Sequence, residues 1–255
     1  AYLGWAVGTA GDVNGDGYAD VIVGAPLYDG GQTNEGRAYV HLGSPSGLTP
    51  APSWTGAGGQ AAAQFGVSVG TAGDMNGDGY ADVIVGAPYH DNGETNEGRA
   101  YVYQGSAAGL SLTASWTAEG DQAGALFGSP VGTAGDVNGD GYADVIVGAP
   151  SYDNLQTDEG RAYVYHGSAS GLSPTPNWTA ESNQASAGFG NSGTAGDVNG
   201  DGYADVVVGA YLYDNGQTDE GRAYVYFGSA SGLSPTPNWT AESDQAGAGF
   251  GNAVG

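Results

Sequence analysis

The chain has 255 residues, with 28 Asp or Glu against 4 Arg and no Lys or Cys, for a formal net charge of −24. Such a surface repels phosphate backbones and anionic lipid, which excludes nucleic acid as a partner; without Cys there are no disulfides and no thiolate metal sites. No apolar run reaches the length of a membrane helix, which excludes membrane insertion by that route, and the opening AYLGWAVG lacks the basic start and apolar core of a secretory signal.

The first unit opens with Leu3-Gly-Trp-Ala-Val-Gly, continues as GDVNGDGYADVIVGAP over residues 11–26, and reaches an Arg-Ala-Tyr-Val phrase at Arg37. The same order returns from Gly73, Gly135 and Gly196. The leading aspartates Asp12, Asp74, Asp136 and Asp197 are 62, 62 and 61 residues apart, a period longer than those of helical repeats and suited to four short strands. In the second unit the predicted strands cover 65–72, 81–87, 98–104 and 114–119. These are β-branched and aromatic runs bounded by Gly, Pro, Asn and Asp, and their links are short enough for an antiparallel meander.

Four-stranded sheets repeated in tandem predict an all-β chain, a β-propeller of four blades over about residues 3–64, 65–126, 127–188 and 189–249. Residues 250–255 begin a further repeat. A β-solenoid coil needs far fewer residues per turn, and a β-sandwich does not repeat at this length. The third and fourth units agree at 48 of 55 positions (136–190 against 197–251), the mark of duplication within the chain. The fourth unit reads Phe189-Gly-Asn-Ser-Gly-Thr where the second reads Phe65-Gly-Val-Ser-Val-Gly-Thr. Losing one residue turns a strand over, so a local distortion is expected there.

Each unit carries one Asp-rich loop. In the first, Asp12, Asn14, Asp16 and Asp20 alternate around Gly17, and alternate side chains of a tight loop converge while the glycine permits the sharp turn. Three carboxylates and an amide are hard oxygen donors, and without thiol or imidazole they favour calcium over zinc or copper. The backbone carbonyl of the seventh residue, Tyr18, adds a further oxygen. The equivalent sets are Asp74, Asn76, Asp78, Tyr80 and Asp82; Asp136, Asn138, Asp140, Tyr142 and Asp144; and Asp197, Asn199, Asp201, Tyr203 and Asp205. About four calcium ions per chain are therefore expected. The pattern departs from an EF-hand at position twelve, where Val23, Val85, Val147 and Val208 replace the bidentate Glu.

The phrase D-x-N-x-D-G-x-x-D followed by V-I-V-G-A-P, with Phe65-Gly66, Phe127-Gly128 and Phe189-Gly190 ahead of it, resembles the FG-GAP repeat of integrin α-subunit propellers. Leu3-Gly4 in the first unit and Tyr211 in place of Pro in the fourth depart from it. The resemblance implies calcium in the loop between the first two strands of each blade. It also implies a recognition or adhesion scaffold, extracellular or at the cell surface, with a protein or glycan ligand.

The remaining recurrent residues read as structure. Arg37, Arg99, Arg161 and Arg222 are expected to pair with nearby carboxylates, and Trp54, Trp116, Trp178 and Trp239 to pack in the core or between blades. His41, His90 and His166 fall at different repeat positions. Asn177-Trp-Thr and Asn238-Trp-Thr match the N-glycosylation pattern within predicted strands. No nucleophile–base set or phosphate loop can be assembled, so an enzyme is not expected. The alternative function is a lectin-type propeller that binds carbohydrate between blades through Tyr152, Asp153, Asn154 and Gln184, on the face opposite the metal loops. Closing four blades needs about 90° between neighbours, against about 45° for eight. Self-association, as a homodimer that completes a larger ring, is therefore also expected.

Overall fold

The computed structural model describes residues 2–254. The first blade comprises β1 (Val7–Gly11), β2 (Asp20–Ala25), β3 (Arg37–His41) and β4 (Trp54–Ala57). The second has β5 (Ser68–Gly73), β6 (Asp82–Ala87), β7 (Arg99–Tyr103) and β8 (Trp116–Glu119). The third has β9 (Val131–Gly135), β10 (Asp144–Ala149), β11 (Arg161–Tyr165) and β12 (Trp178–Glu181), and the fourth β13 (Phe189–Gly196), β14 (Asp205–Ala210), β15 (Arg222–Tyr226) and β16 (Trp239–Glu242). Each is a four-stranded antiparallel meander in chain order, and among the described residues no helix is long and apolar enough to cross a membrane. The β1–β2 and β3–β4 connections of a blade emerge at one end, the β2–β3 connection and the link to the next blade at the other. Asn177 and Asn238 stand one residue ahead of β12 and β16, on exposed turns rather than within the strands.

The blades pack face to face, β1 against β5, β5 against β9 and β9 against β13. Every residue of β6 and β10 is buried, because each of these strands has a neighbouring blade on both faces; their unbroken apolar sequence reflects that two-sided burial. The outer blades differ in a directed way. In β2, Val21 and Val23 are only half-buried, and in β14 it is Val207, on the opposite face. Four sheets thus enclose three cores, and the assembly is an arc of propeller blades with one face free at each end.

The Phe-Gly pairs make the junctions. Phe65 lies ahead of β5 rather than inside a strand beginning at residue 65: it forms a parallel bridge to Gly36 of the first blade. Its ring meets Tyr101 of the second blade edge-on at 5.3 Å. The chain is thereby pinned to the blade it leaves while its ring enters the core it starts. Phe127 repeats this with Gly98 and, at 5.2 Å, Tyr163. The glycine of Gly-Ala-Pro is required by close approach, since a Cβ on Gly86 would lie 1.9 Å from the carbonyl oxygen of Gly128 in the next blade.

The Trp residues of the fourth strands are inter-blade packing. Trp54, Trp116 and Trp178 stack edge-on against Tyr103, Tyr165 and Tyr226 at 4.7–4.8 Å. Their indole N–H groups donate across the junction to the carbonyls of Ser111, Ser173 and Ser234 at 2.9 Å. Gln60, Gln122 and Gln184 clamp the opposite rim, each side-chain amide donating to and accepting from the backbone of Asp91, Asp153 or Asp214 in the next blade.

The deletion in the fourth blade does distort the first strand, but only locally. The β13–β14 register shifts between Phe189 and Asn191, after which Ser192 faces Val208 as Val69 faces Val85. Gly190 absorbs the lost residue at φ 135°, where Gly66 and Gly128 have 89° and 94°, so the facing of the strand is preserved. The cost falls on Ser192, whose buried hydroxyl has no hydrogen-bond partner.

Gly86→Ala separates local preference from packing. Strand preference alone favours Ala by about 0.5–1 kcal/mol, whereas the Gly128 carbonyl blocks the new methyl, so a net loss of about 1–3 kcal/mol is expected in urea unfolding. Gly132→Ala is the control, because a Cβ there meets nothing within 4 Å, and it should be neutral or stabilising.

Candidate metal centre

Each Asp-rich loop joins the first two strands of its blade and is shaped by two glycines of positive φ, Gly15 (72°) and Gly17 (88°) in the first blade. Asp12 organises the turn: Oδ1 accepts from the Gly15 and Asp16 amides at 2.7 and 3.1 Å, and Oδ2 from Gly17 at 2.8 Å. Asn14 donates to Asp16 Oδ2 at 3.0 Å, and Asp16 Oδ1 accepts from the Tyr18 amide at 3.0 Å. Asp74–Asn76–Asp78, Asp136–Asn138–Asp140 and Asp197–Asn199–Asp201 repeat the network. The first, third and fifth residues of each set are thus brought together at an exposed loop.

The ninth residue sits beneath them. Asp20, Asp82, Asp144 and Asp205 are at most 1% exposed. Asp144 Oδ2 accepts from the Val137 amide at 2.9 Å and Oδ1 from the Gly167 amide at 2.8 Å, tying the loop to the β11–β12 turn. Burial pushes the Asp144 carboxyl up to about 7 and that of Asp82 to about 6; neighbouring aspartates push the same way, against the pull of the two amides. Carboxylates and an amide oxygen are the donor types that suit a hard cation, and nearby positive charge would offset the penalty on the buried aspartate.

The seventh residues, Tyr18, Tyr80, Tyr142 and Tyr203, occupy the same position in each loop, and three have a second role. The ring of Tyr80 lies over Gly15 of the preceding loop, Tyr142 over Gly77 and Tyr203 over Gly139. The Ala81, Ala143 and Ala204 amides donate to the carbonyls of Asp12, Asp74 and Asp136 at 2.9–3.0 Å. Every loop with a following blade is thus buttressed by it.

Several features escape sequence reasoning. Among the described residues, the sets of three carboxylates that come within 4.8 Å of one another are Glu97, Glu119 and Asp121, and Glu220, Glu242 and Asp244, at the end of the blades opposite the loops; the three aspartates of an Asp-rich loop are not brought that close together. An arginine already supplies positive charge to each: Arg99 pairs with Glu119 at 2.7 Å and Arg222 with Glu242 at 2.9 Å. Arg161 pairs likewise with Glu181, whereas Arg37 faces Ala57 across the ladder and lies over the Tyr28 ring at 4.1 Å. His166 stands 3.2 Å from Asn138 of the third loop, its pKa lowered by burial.

The residues of the lectin-type alternative make intramolecular contacts, with Asp153 and Asn154 at the surface. Tyr152 carries the Arg161 guanidinium at 4.1 Å, and Asp153 Oδ1 accepts from the Asp158 amide. Asn154 donates to Glu181 at 2.9 Å and Gln184 clamps Asp214.

Antiparallel four-stranded blades packed face to face, with an acidic loop between the first two strands of each, define an integrin-like β-propeller architecture. The profile of the FG-GAP repeat matches residues 3–41, 65–103, 127–165 and 189–226, and the chain belongs to that family. It is 34% identical to integrin alpha-4 of Xenopus laevis over 84% of its length and 33% identical to integrin alpha-V of Gallus gallus over 92%. It is also 37% identical over 63% of its length to phosphatidylinositol-glycan-specific phospholipase D of Bos taurus. It spans 20–22% of the length of these relatives. Among solved structures, an exotype rhamnogalacturonan lyase aligns with 97% of this chain and 52% of its own at a TM-score of 0.41 and 14% identity.

Two substitutions in one loop separate support from ligation. Asp144→Ala strands two buried amide donors and should destabilise the chain by about 2–5 kcal/mol with chelator present. Asp140→Ala, at the exposed mouth, should cost well under 1 kcal/mol in chelator and show its effect only when calcium is added. Urea unfolding with and without calcium distinguishes the two.

Proposed function

We propose that the chain is a calcium-binding recognition or adhesion scaffold, extracellular or at the cell surface, that acts by binding and not by catalysis. The observation that carries this reading is the fourfold recurrence of one loop, in which two aspartates and an asparagine meet at an exposed turn and a further aspartate is buried at the loop's base. The ligand sets are Asp12, Asn14, Asp16 and Asp20 and their three counterparts, with the carbonyls of Tyr18, Tyr80, Tyr142 and Tyr203 completing them. Bound calcium supplies the positive charge that lets three carboxylates share one loop; the chain's own part is to hold the turn open through its glycines and to anchor the ninth aspartate on backbone amides. Membership of the FG-GAP family and similarity to integrin alpha subunits support an adhesive role with a protein or glycan partner.

Titration calorimetry should give close to four calcium ions per chain, and Asp78→Ala should remove one. An ion that binds only the folded chain at a hundred times its dissociation constant adds about 2.7 kcal/mol, so a chelator should lower the melting temperature. A melting curve indifferent to chelator overturns the reading.

A further inference from the structure

At the end of the fourth blade opposite its Asp-rich loop, three carboxylates meet beside a buried oxygen that nothing in the chain satisfies. Glu220 stands just ahead of β15, Glu242 closes β16 and Asp244 follows it by two residues. The β15–β16 ladder sets Arg222 opposite Glu242, and the Ser243 hydroxyl donates to the Glu220 carbonyl at 2.8 Å. The three acids thereby offer oxygens within 4.8 Å of one another. Glu220 is 0% exposed. Its Oε1 accepts from the Asn215 amide at 2.5 Å, whereas its Oε2 is buried with no hydrogen-bond partner. Arg222 does not fill that gap: its Nε lies 2.9 Å from Glu242, and its terminal nitrogens donate to the Tyr213 hydroxyl at 3.0 Å and the Thr240 hydroxyl at 3.3 Å. In their charged forms, three carboxylates against one guanidinium leave two negative charges unmatched.

We propose that Glu220, Glu242 and Asp244 hold a hard divalent cation, calcium before magnesium, as a site of a second kind at the rim opposite the Asp-rich loops. A carboxylate oxygen withdrawn from water needs a donor or a cation to meet it, and oxygen donors alone, with two charges to match, select a hard divalent ion. Magnesium demands a near-ideal octahedron at about 2.0–2.1 Å, whereas calcium at about 2.3–2.6 Å accepts irregular sets of carboxylates. The set here is irregular and partly tied down: Asn215 bridges two of its members, with its N–H on Glu220 and its side-chain amide on Glu242 Oε2 at 2.8 Å. Arg222 already holds Glu242, so calcium is bound weakly. Every one of these groups belongs to the fourth blade, so the site does not depend on what packs against either face of it. It also shares no residue with the Asp-rich loops. The repeat varies the acids from blade to blade. Glu97, Glu119 and Asp121 restore the full set in the second blade. The third has Asn183 beside Glu159 and Glu181, and the first has Ala57 and Gly59 beside Glu35.

Amide NMR during a calcium titration of the whole chain reads the site locally, because the six residues of β14 separate it from the Asp-rich loop of the same blade, a distance of about 20 Å. The Asn215 and Gln245 amides should shift and saturate with a dissociation constant on the order of 10⁻⁴–10⁻³ M. Asp244 is exposed, so Asp244→Asn keeps the fold; it should weaken that response at least about tenfold, since affinity follows the number of charged ligands, and leave the loop amides of Gly200 and Gly202 as they were. Asn183→Asp supplies the missing acid of the third blade, and the Asn154 amide should then respond to calcium at least about tenfold more tightly than in the unaltered chain. A response at Asn215 and Gln245 supports the site whether or not the loop amides respond, because the two kinds of site share no residue. Amides of Asn215 and Gln245 that stay in place up to about 10 mM calcium overturn the proposal. A response that survives Asp244→Asn at full strength overturns it too, because the ion then sits elsewhere.

Discussion

A four-stranded sheet of this composition has two apolar faces and can bury neither by itself. Face-to-face packing of successive blades is therefore the interaction on which the rest depends. It explains why the second strands of the inner blades are buried along their whole length while those of the outer blades are open on one side only. It also explains the punctuation of the repeat. A phenylalanine has its backbone on one blade and its ring in the next core, and a glycine stands where another blade's carbonyl leaves no room for a side chain.

The acidic loops belong to the same constraint. The ninth aspartate of each loop spends both carboxylate oxygens on backbone amides, one in its own loop and one in the neighbouring turn of its blade. In the first three loops the leading aspartate, Asp12, Asp74 or Asp136, offers its carbonyl to an amide of the following blade. Acidic loop and blade junction are thus one mechanical unit. A cation that tightens the loop also fixes the groups to which the next blade docks, and a docked blade holds the loop near its ligating shape.

Much of this was legible in the sequence, because a tandem repeat states its unit four times over. The strands and the pairing of Arg99, Arg161 and Arg222 with carboxylates follow from spacing and residue type, with strand ends shifted by at most three residues. What could not be read depends on partners far apart in the chain. Arg37 has the same local phrase as the other arginines, but its cross-strand neighbour is Ala57. Gln60, Gln122 and Gln184 look like ordinary polar loop residues until the next blade is in place. Trp54 and Trp239 sit in similar phrases with opposite exposure, because exposure is set by the neighbouring sheet. The local distortion expected from the lost residue of the fourth blade is present, but only the structure shows that the permissive backbone of Gly190 takes it up and keeps the strand's facing.

The central claim, that the acidic loops and the blade junctions form one unit, is tested most directly by amide hydrogen exchange at Ala81, Ala143 and Ala204, whose N–H groups cross the junctions to the loop carbonyls. With calcium at about a hundred times its dissociation constant, these three amides should exchange about a hundredfold more slowly than in chelator. Calcium that binds the loops yet leaves the exchange of these amides unchanged would contradict the account.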